Sequence, residues 1–227
     1  INLKIGNLNI IKRFNNWIEK TIFRVQNKSI NKVPISKFNK YLITFISLLF
    51  FYLFYLLVPL LYDKAWVQKN IENKILSEFK INLSTSADIS YRILPAPHFL
   101  IKNSKILLDD SESQKSIADI KNLKFFLSQK NLLNKEKMNI KKLVINNANF
   151  FLLRDEIIIL NDYSNNKFSN KKITINDSNI FLKNSLDEIF TIIKIEKSIL
   201  FFDYEKQINL FNLKGNIFGA PFTFALN

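Results

Sequence analysis

The chain has no cysteine, one histidine and only three glycines in 227 residues. Without thiols it can form neither disulfides nor thiolate metal sites. A single imidazole, His98, also leaves no Cys–His nucleophile and no compact His-based metal site. His98 lies in LPAPHF beside two prolines, the setting of a turn or strand-edge residue. Gly6, Gly215 and Gly219 are too scattered to make a phosphate-cradling loop. Acids are scarce as well, 19 against 33 bases. Their neighbouring pairs, Asp109 with Asp110 and Asp155 with Glu156, fall where strands should end, as solvated turns. The expectation is a protein that is not an enzyme and uses no cofactor and no metal.

What the chain does have is one uninterrupted apolar run, residues 41–62, YLITFISLLFFYLFYLLVPLLY, without a charged side chain. At a helical rise of about 1.5 Å per residue it is about 33 Å long, enough to cross the hydrocarbon core of a bilayer. Before it stand nine basic residues and the single acid Glu19, while residues 63–80 hold four lysines and three acids. That asymmetry places the N-terminus in the cytoplasm and the rest outside. Trp17, Tyr41, Tyr62 and Trp66 are the amphipathic aromatics suited to the membrane interfaces. The basic arm is too long for a signal-peptide n-region, and YDKAWVQ offers no small-residue cleavage site. The run therefore reads as a signal-anchor.

More than half of the net charge of +14 precedes the span. Beyond residue 80 the bases are dispersed among acids without a block, which argues against nucleic acid as a partner. The chain does not begin with Met and ends within a strand pattern, as expected of a piece of a longer protein.

The pattern divides the chain into four segments: a cytoplasmic basic arm (1–40) with an amphipathic helix over 7–26, the anchor (41–62), a post-membrane helix (63–80), and an exported β-rich domain (81–227). Val67, Ile71, Ile75 and Phe79 recur every four residues, giving the third segment one apolar stripe. Beyond residue 80 the period drops to two. Ile173 and Ile175 alternate with Thr174 and Asn176, and Ile193 and Ile195 with Lys194 and Glu196. Asn/Asp/Ser turns separate the runs as in β-meanders, with a short irregular piece at 129–137. IKNSKI, IKNLKF, INNANF and INDSNI, with a looser LFNLKGNI, repeat one unit: an Ile or Leu, a gap of two or three residues, mostly polar, then Asn or Lys before another apolar residue. The polar pair is expected to make a kink or a tight turn between two strand halves, each exposing one apolar face. The first four copies are 19, 25 and 30 residues apart, too irregular for a strict solenoid.

ISYRILPAPHFLIKNSKILL, after an anchor and a helix, resembles the start of the AsmA-like proteins of Gram-negative inner membranes, at Leu94, Pro95, Pro97, Leu100, Ile101 and Ile106. Residues 117–156, with Leu132, Leu133, Arg154 and Asp155, are similar to that family's second element. NLFNLKGNIFGAPFTFAL is similar to its Leu–x–Gly turn (Leu213, Gly215) and a following strand containing a proline (Pro221). The resemblance implies a mainly β fold with an N-terminal transmembrane helix, α+β overall, in which a curved antiparallel β-groove keeps an apolar interior. It implies a function in shielding or conducting phospholipid between inner and outer membrane, in support of outer-membrane assembly. Membrane phospholipids are then the partners, and other envelope proteins if the domain instead acts as a scaffold binding through exposed strand edges. The best-patterned apolar strand positions, expected to contact lipid, are Leu143, Ile145, Phe150, Leu152, Ile173, Ile175, Ile180 and Leu182.

Overall fold

With no charged residue to break it, the apolar run forms one helix, α1 (Lys37–Leu57), which tightens into a 3-10 turn over Val58–Leu61 at Pro59. It is long and apolar enough to cross a membrane. The structure is a computed structural model. It describes residues 37–227 except 87, 111, 112, 154–166 and 227, together with Lys12, Asn16, Trp17 and Lys20. Two compact units divide the chain, residues 1–49 and 50–227. In the first, those four arm residues are helical and exposed. The remainder of the amphipathic helix expected over 7–26 lies outside the described residues.

In the second unit, α2 (Lys64–Phe79) starts at Asp63, whose carboxylate accepts the Trp66 N–H at 2.8 Å. It ends where Lys80 turns left-handed at φ 57°. Val67, Ile71, Ile75 and Phe79 are all buried, so the four-residue stripe is the face that meets the core. A polar clasp holds the chain just beyond β1 against this helix. Glu72 Oε1 accepts from the Thr85 N–H at 2.8 Å and hydroxyl at 2.7 Å, while Gln68 Nε2 donates to the Thr85 carbonyl at 2.9 Å.

Among the described residues nine strands make one sheet: β1 (Asn82–Ser84), β2 (Ile89–Arg92), β3 (His98–Asp110), β4 (Ser113–Leu127), β5 (Ile140–Leu153), β6 (Lys172–Lys183), β7 (Ile189–Asp203), β8 (Ile208–Ile217) and β9 (Ala220–Leu226). β1 and β2 share one side of β3, and β4 to β9 are laid down in sequence order. The irregular piece between β4 and β5 contains a short 3-10 turn, Lys135–Lys137. Antiparallel pairing, expected throughout, fails at one step: β5 and β6 run parallel. A parallel return needs a crossover of a dozen residues or more, and residues 154–171 supply that length where every other join is shorter.

His98 is not an edge residue. It opens β3, pairs with Arg92 on one side and Phe126 on the other, and is buried. Its ring stacks on Phe126 at 4.9 Å, and Nδ1–H donates to the Ala96 carbonyl at 2.7 Å. Burial, with Lys124 and Arg92 nearby, holds its pKa below the usual histidine value.

The repeated polar pair does break the strands. Asn103, Asn147 and Asp177, each the third residue of its copy, have φ of 55°, 55° and 48°. Asn and Asp are the non-glycine residues that tolerate this left-handed region best. Each adds one residue to its strand, so that Ile101 and Ser104, Ile145 and Ala148, and Ile175 and Ser178 share a face although three apart. In β4 the same step separates Ile120 from Leu123, and in β7 it separates Ile195 from Ser198. The line of kinks thus crosses β3 to β7.

It stops at β8, where the register shifts opposite Glu196. Gly215 lies within β8 at this shift, so the turn that the family resemblance placed there is absent. The β8–β9 turn comes later, at Phe218 and Gly219, both with positive φ. A Cβ at Gly215 would stand 2.2 Å from the Lys194 carbonyl oxygen, an approach that only glycine allows. Gly215→Ala is expected to destabilise the sheet by about 1–3 kcal/mol, the usual range for an overpacked interior. Gly219→Ala has open space around its new methyl group and costs only its φ strain. Urea unfolding of the two variants in detergent tests the order.

Candidate functional site

Because the kinks preserve facing, apolar positions line up across the whole sheet. One row reads Tyr91, Phe99, Phe125, Leu143, Ile173, Leu200, Phe211, Leu226 from β2 to β9. The next reads Ile89, Ile101, Leu123, Ile145, Ile175, Ser198, Leu213, Phe224. Beyond the kink, Leu83, Ile106, Ala118, Phe150, Ile180, Ile193 and Ile217 form a third.

Cover over these rows changes from one end to the other. The core that α2 closes takes in β1 to β5, with Ile173 and Ile175 packed at its margin. Phe125 is fully buried, whereas Phe224 on the neighbouring row is 46% exposed. Between them the rows pass through half-exposed residues on β6, β7 and β8, with Ser198 on β7 buried. Among the described residues the apolar face is sealed over its first half and more exposed toward β8 and β9, although Ile195, Ser198 and Phe202 of β7 are still buried.

At the boundary lies a cleft of about 820 Å³. Phe79 at the end of α2 and Ile81 beyond it line one side, Ile173, Leu200 and Phe201 another, and the segment before β6 a third, through Lys167, Phe168, Ser169 and Lys171. Ser169 holds that segment in place by accepting the Phe202 N–H at 2.9 Å. Lys80, Lys167 and Lys171 put three cations around the apolar wall, against the acid Glu78. Lys167 lies over the Phe202 and Tyr204 rings at 3.9 and 4.7 Å. Glu78 Oε2 is buried and has no hydrogen-bond partner among the described residues. The arrangement suits an amphiphile, with its tail along the open rows and an anionic head at the lysines.

The opposite face carries a polar row beside the kink and an apolar one farther along, through Phe151, Phe181 and Ile192. Lys102, Asn122, Asn146, Asn176, Lys197 and Lys214 cross it in one row beside the kink. Across the parallel step, Asn176 Nδ2 donates to Asn146 Oδ1 at 2.9 Å and Asn179 Nδ2 to Asn149 Oδ1 at 3.1 Å. Ser178 Oγ accepts the Ala148 N–H at 3.0 Å, filling the gap that the kink opens.

The eight strand positions singled out from the sequence fall into four facing pairs, Leu143 with Ile173, Ile145 with Ile175, Phe150 with Ile180 and Leu152 with Leu182. Leu143 and Ile145 belong to the sealed core, and the other six are only half-buried. Leu200, Phe211, Leu213, Phe222, Phe224 and the lysines of the cleft were not singled out. The three-residue step from Ile195 to Ser198 and the copy LFNLKGNI carried the signal for β7 and β8.

Of the interfacial aromatics, Tyr41 and Trp17 are exposed on helix. Tyr62 and Trp66 meet edge to face at 5.9 Å, and the Lys135 ammonium lies 5.4 Å from the Trp66 ring. Tyr91 donates to the Leu56 carbonyl at 2.6 Å. Burial, with Tyr62 adding to it, pushes the Tyr91 phenol up to about 12, so it remains a proton donor at any physiological pH. No protein-family model and no curated protein matches the chain.

Proposed function

We propose that the chain is a single-pass protein of the bacterial inner membrane, AsmA-like in kind, whose exported sheet shields phospholipid on its way between inner and outer membrane. The observation that carries this reading is the set of apolar rows, broken at Ser198, that run from the sealed core to the more exposed β8 and β9. A monomer gains nothing from leaving Phe224 exposed and Leu213 and Phe222 half-covered, and apolar patches of this kind usually have an occupant. Each methylene kept from water is worth about 0.8 kcal/mol, so a face covering on the order of ten of them removes about 8 kcal/mol from the cost of transfer. The lysines around the cleft supply the complement to a phosphate head. The basic arm before α1 supports a cytoplasmic N-terminus and a periplasmic sheet.

A second reading is favoured by β9, which pairs with β8 alone among the described residues and leaves its other edge free to receive a strand. The domain would then be a non-enzymatic envelope scaffold. Photo-crosslinking in cells separates the two. With a photoreactive residue at Leu213 or Phe224 in the full chain, lipid adducts are expected, and none from Leu123 in the sealed half. Protein adducts alone at the open positions would overturn the lipid reading in favour of the scaffold.

A further inference from the structure

The two residues Tyr62 and Asp63 are all that separates the helical run ending at Leu61 from the start of α2. The loop between β4 and β5 is fastened directly onto the end of that run. Tyr55 Oη donates to the Gln129 carbonyl at 2.6 Å and accepts the Leu132 N–H at 3.2 Å. Tyr52 Oη donates to Gln129 Oε1 at 3.3 Å, and Tyr62 Oη donates to the Leu132 carbonyl. Tyr91 ties the end of β2 to the same place through Leu56. Five hydrogen bonds, four of them using backbone groups of the loop or the helix, hold the loop and the end of β2 against residues 52–62, all within the second unit.

Their positions along the chain set a depth. Tyr55 and Tyr52 precede Tyr62 by seven and ten residues, which at the helical rise is about 10 and 15 Å along the axis. The same loop is also bound by Tyr62, so with Tyr62 at the outer edge of the headgroup layer the loop held by all three tyrosines reaches into that layer rather than standing in bulk water. Its composition agrees. Leu133 is 70% exposed beside the buried Leu132, and Lys130 and Lys135 are exposed on either side. The turn between β2 and β3 is at the same end of the sheet, since the Leu127 N–H bonds the Pro97 carbonyl at 2.9 Å. It presents Leu94, 81% exposed, next to Arg92. Apolar tips backed by cations are what a phospholipid interface receives well.

We infer that the 129–135 loop and the Leu94 turn are seated in the headgroup layer of the bilayer that α1 crosses, so that this end of the sheet opens onto the lipid itself. The inference rests on α1 being a membrane span, as the proposed function requires. It goes further by fixing where lipid would enter. β6 begins and β7 ends at this same end of the sheet, and their residues Ile173, Leu200 and Phe201 line the cationic cleft. A lipid would then pass from leaflet to cleft without crossing open water.

The absence of cysteine makes the test direct, because any introduced thiol is unique. Leu133→Cys, Phe51→Cys and Leu186→Cys would each be labelled with an environment-sensitive fluorophore. The full chain would be reconstituted in vesicles of phosphatidylethanolamine and phosphatidylglycerol. Leu186 belongs to the β6–β7 turn, at the other end of the sheet, and Phe51 lies on α1. Expected at Leu133 are a blue-shifted emission, loss of most iodide quenching relative to Leu186, and quenching by spin-labelled lipid. If Leu133 is as open to iodide as Leu186 while Phe51 is shielded, the seated loop is wrong and the span stands. Iodide access at Phe51 would remove the span, and with it this inference.

Discussion

Shortening Ile71 to alanine is expected to lower the unfolding free energy by about 2–5 kcal/mol, the range for a fully buried isoleucine. Phe224→Ala, although it removes a larger side chain, is expected to cost only about 1 kcal/mol, because roughly half of that ring already lies in water. Ile71 is among the most deeply buried side chains of the α2 stripe and contacts the core formed by β1 to β5. Its removal leaves a cavity between helix and sheet that the kinked strands cannot close. Phe224, on β9, has the Phe211 ring at 5.9 Å as its main aromatic neighbour. Urea titrations of the full chain in detergent, followed by the strand signal in circular dichroism, compare the two. Equal costs would mean that the open half of the sheet is covered in solution and that the division into sealed and open faces is mistaken.

Valine at Asn103, Asn147 and Asp177 together is expected to cost about 3–6 kcal/mol, from about 1–2 kcal/mol for each residue forced into the left-handed region. All three side chains are exposed, so lost packing cannot account for such an effect. Asn147 and Asp177 face each other on neighbouring strands, and their contributions will not simply add. Glycine at the same three sites is expected to stay within about 1 kcal/mol of the natural chain, since it reaches positive φ without strain. Should the glycine variant lose as much as the valine variant, the Asn and Asp side chains matter for their hydrogen bonds rather than for the backbone. The same denaturation experiment reads both.

The kinks were the most legible part of the fold. Two consecutive polar residues inside an alternating run, as in INNA and INDS, cannot continue a strand without turning its apolar face outward. A left-handed residue at the second of them is a local solution, and local solutions are visible in sequence. So was the stripe on α2, because a four-residue period has one meaning over sixteen residues. The parallel step was not legible. INNANFF and INDSNIF look alike whether their strands run together or oppositely, and only the path of the crossover decides. Nor could alternation say how much of the apolar face α2 covers. Leu143 and Ile180 obey the same pattern, yet one is sealed and the other is not. The cleft depends on Lys167 and Phe168, which lie outside any strand and make no pattern of their own.

The parallel step also bears on how such a chain lengthens. Residues of β5 and β6 pair at a constant offset, as Lys142 does with Lys172 and Leu152 with Leu182, and both strands carry their backbone break at the same height. Tandem duplication of this segment would therefore add a further matching rung without disturbing those already present. Breadth becomes a heritable quantity that can be raised by copying, with no new side-chain invention required.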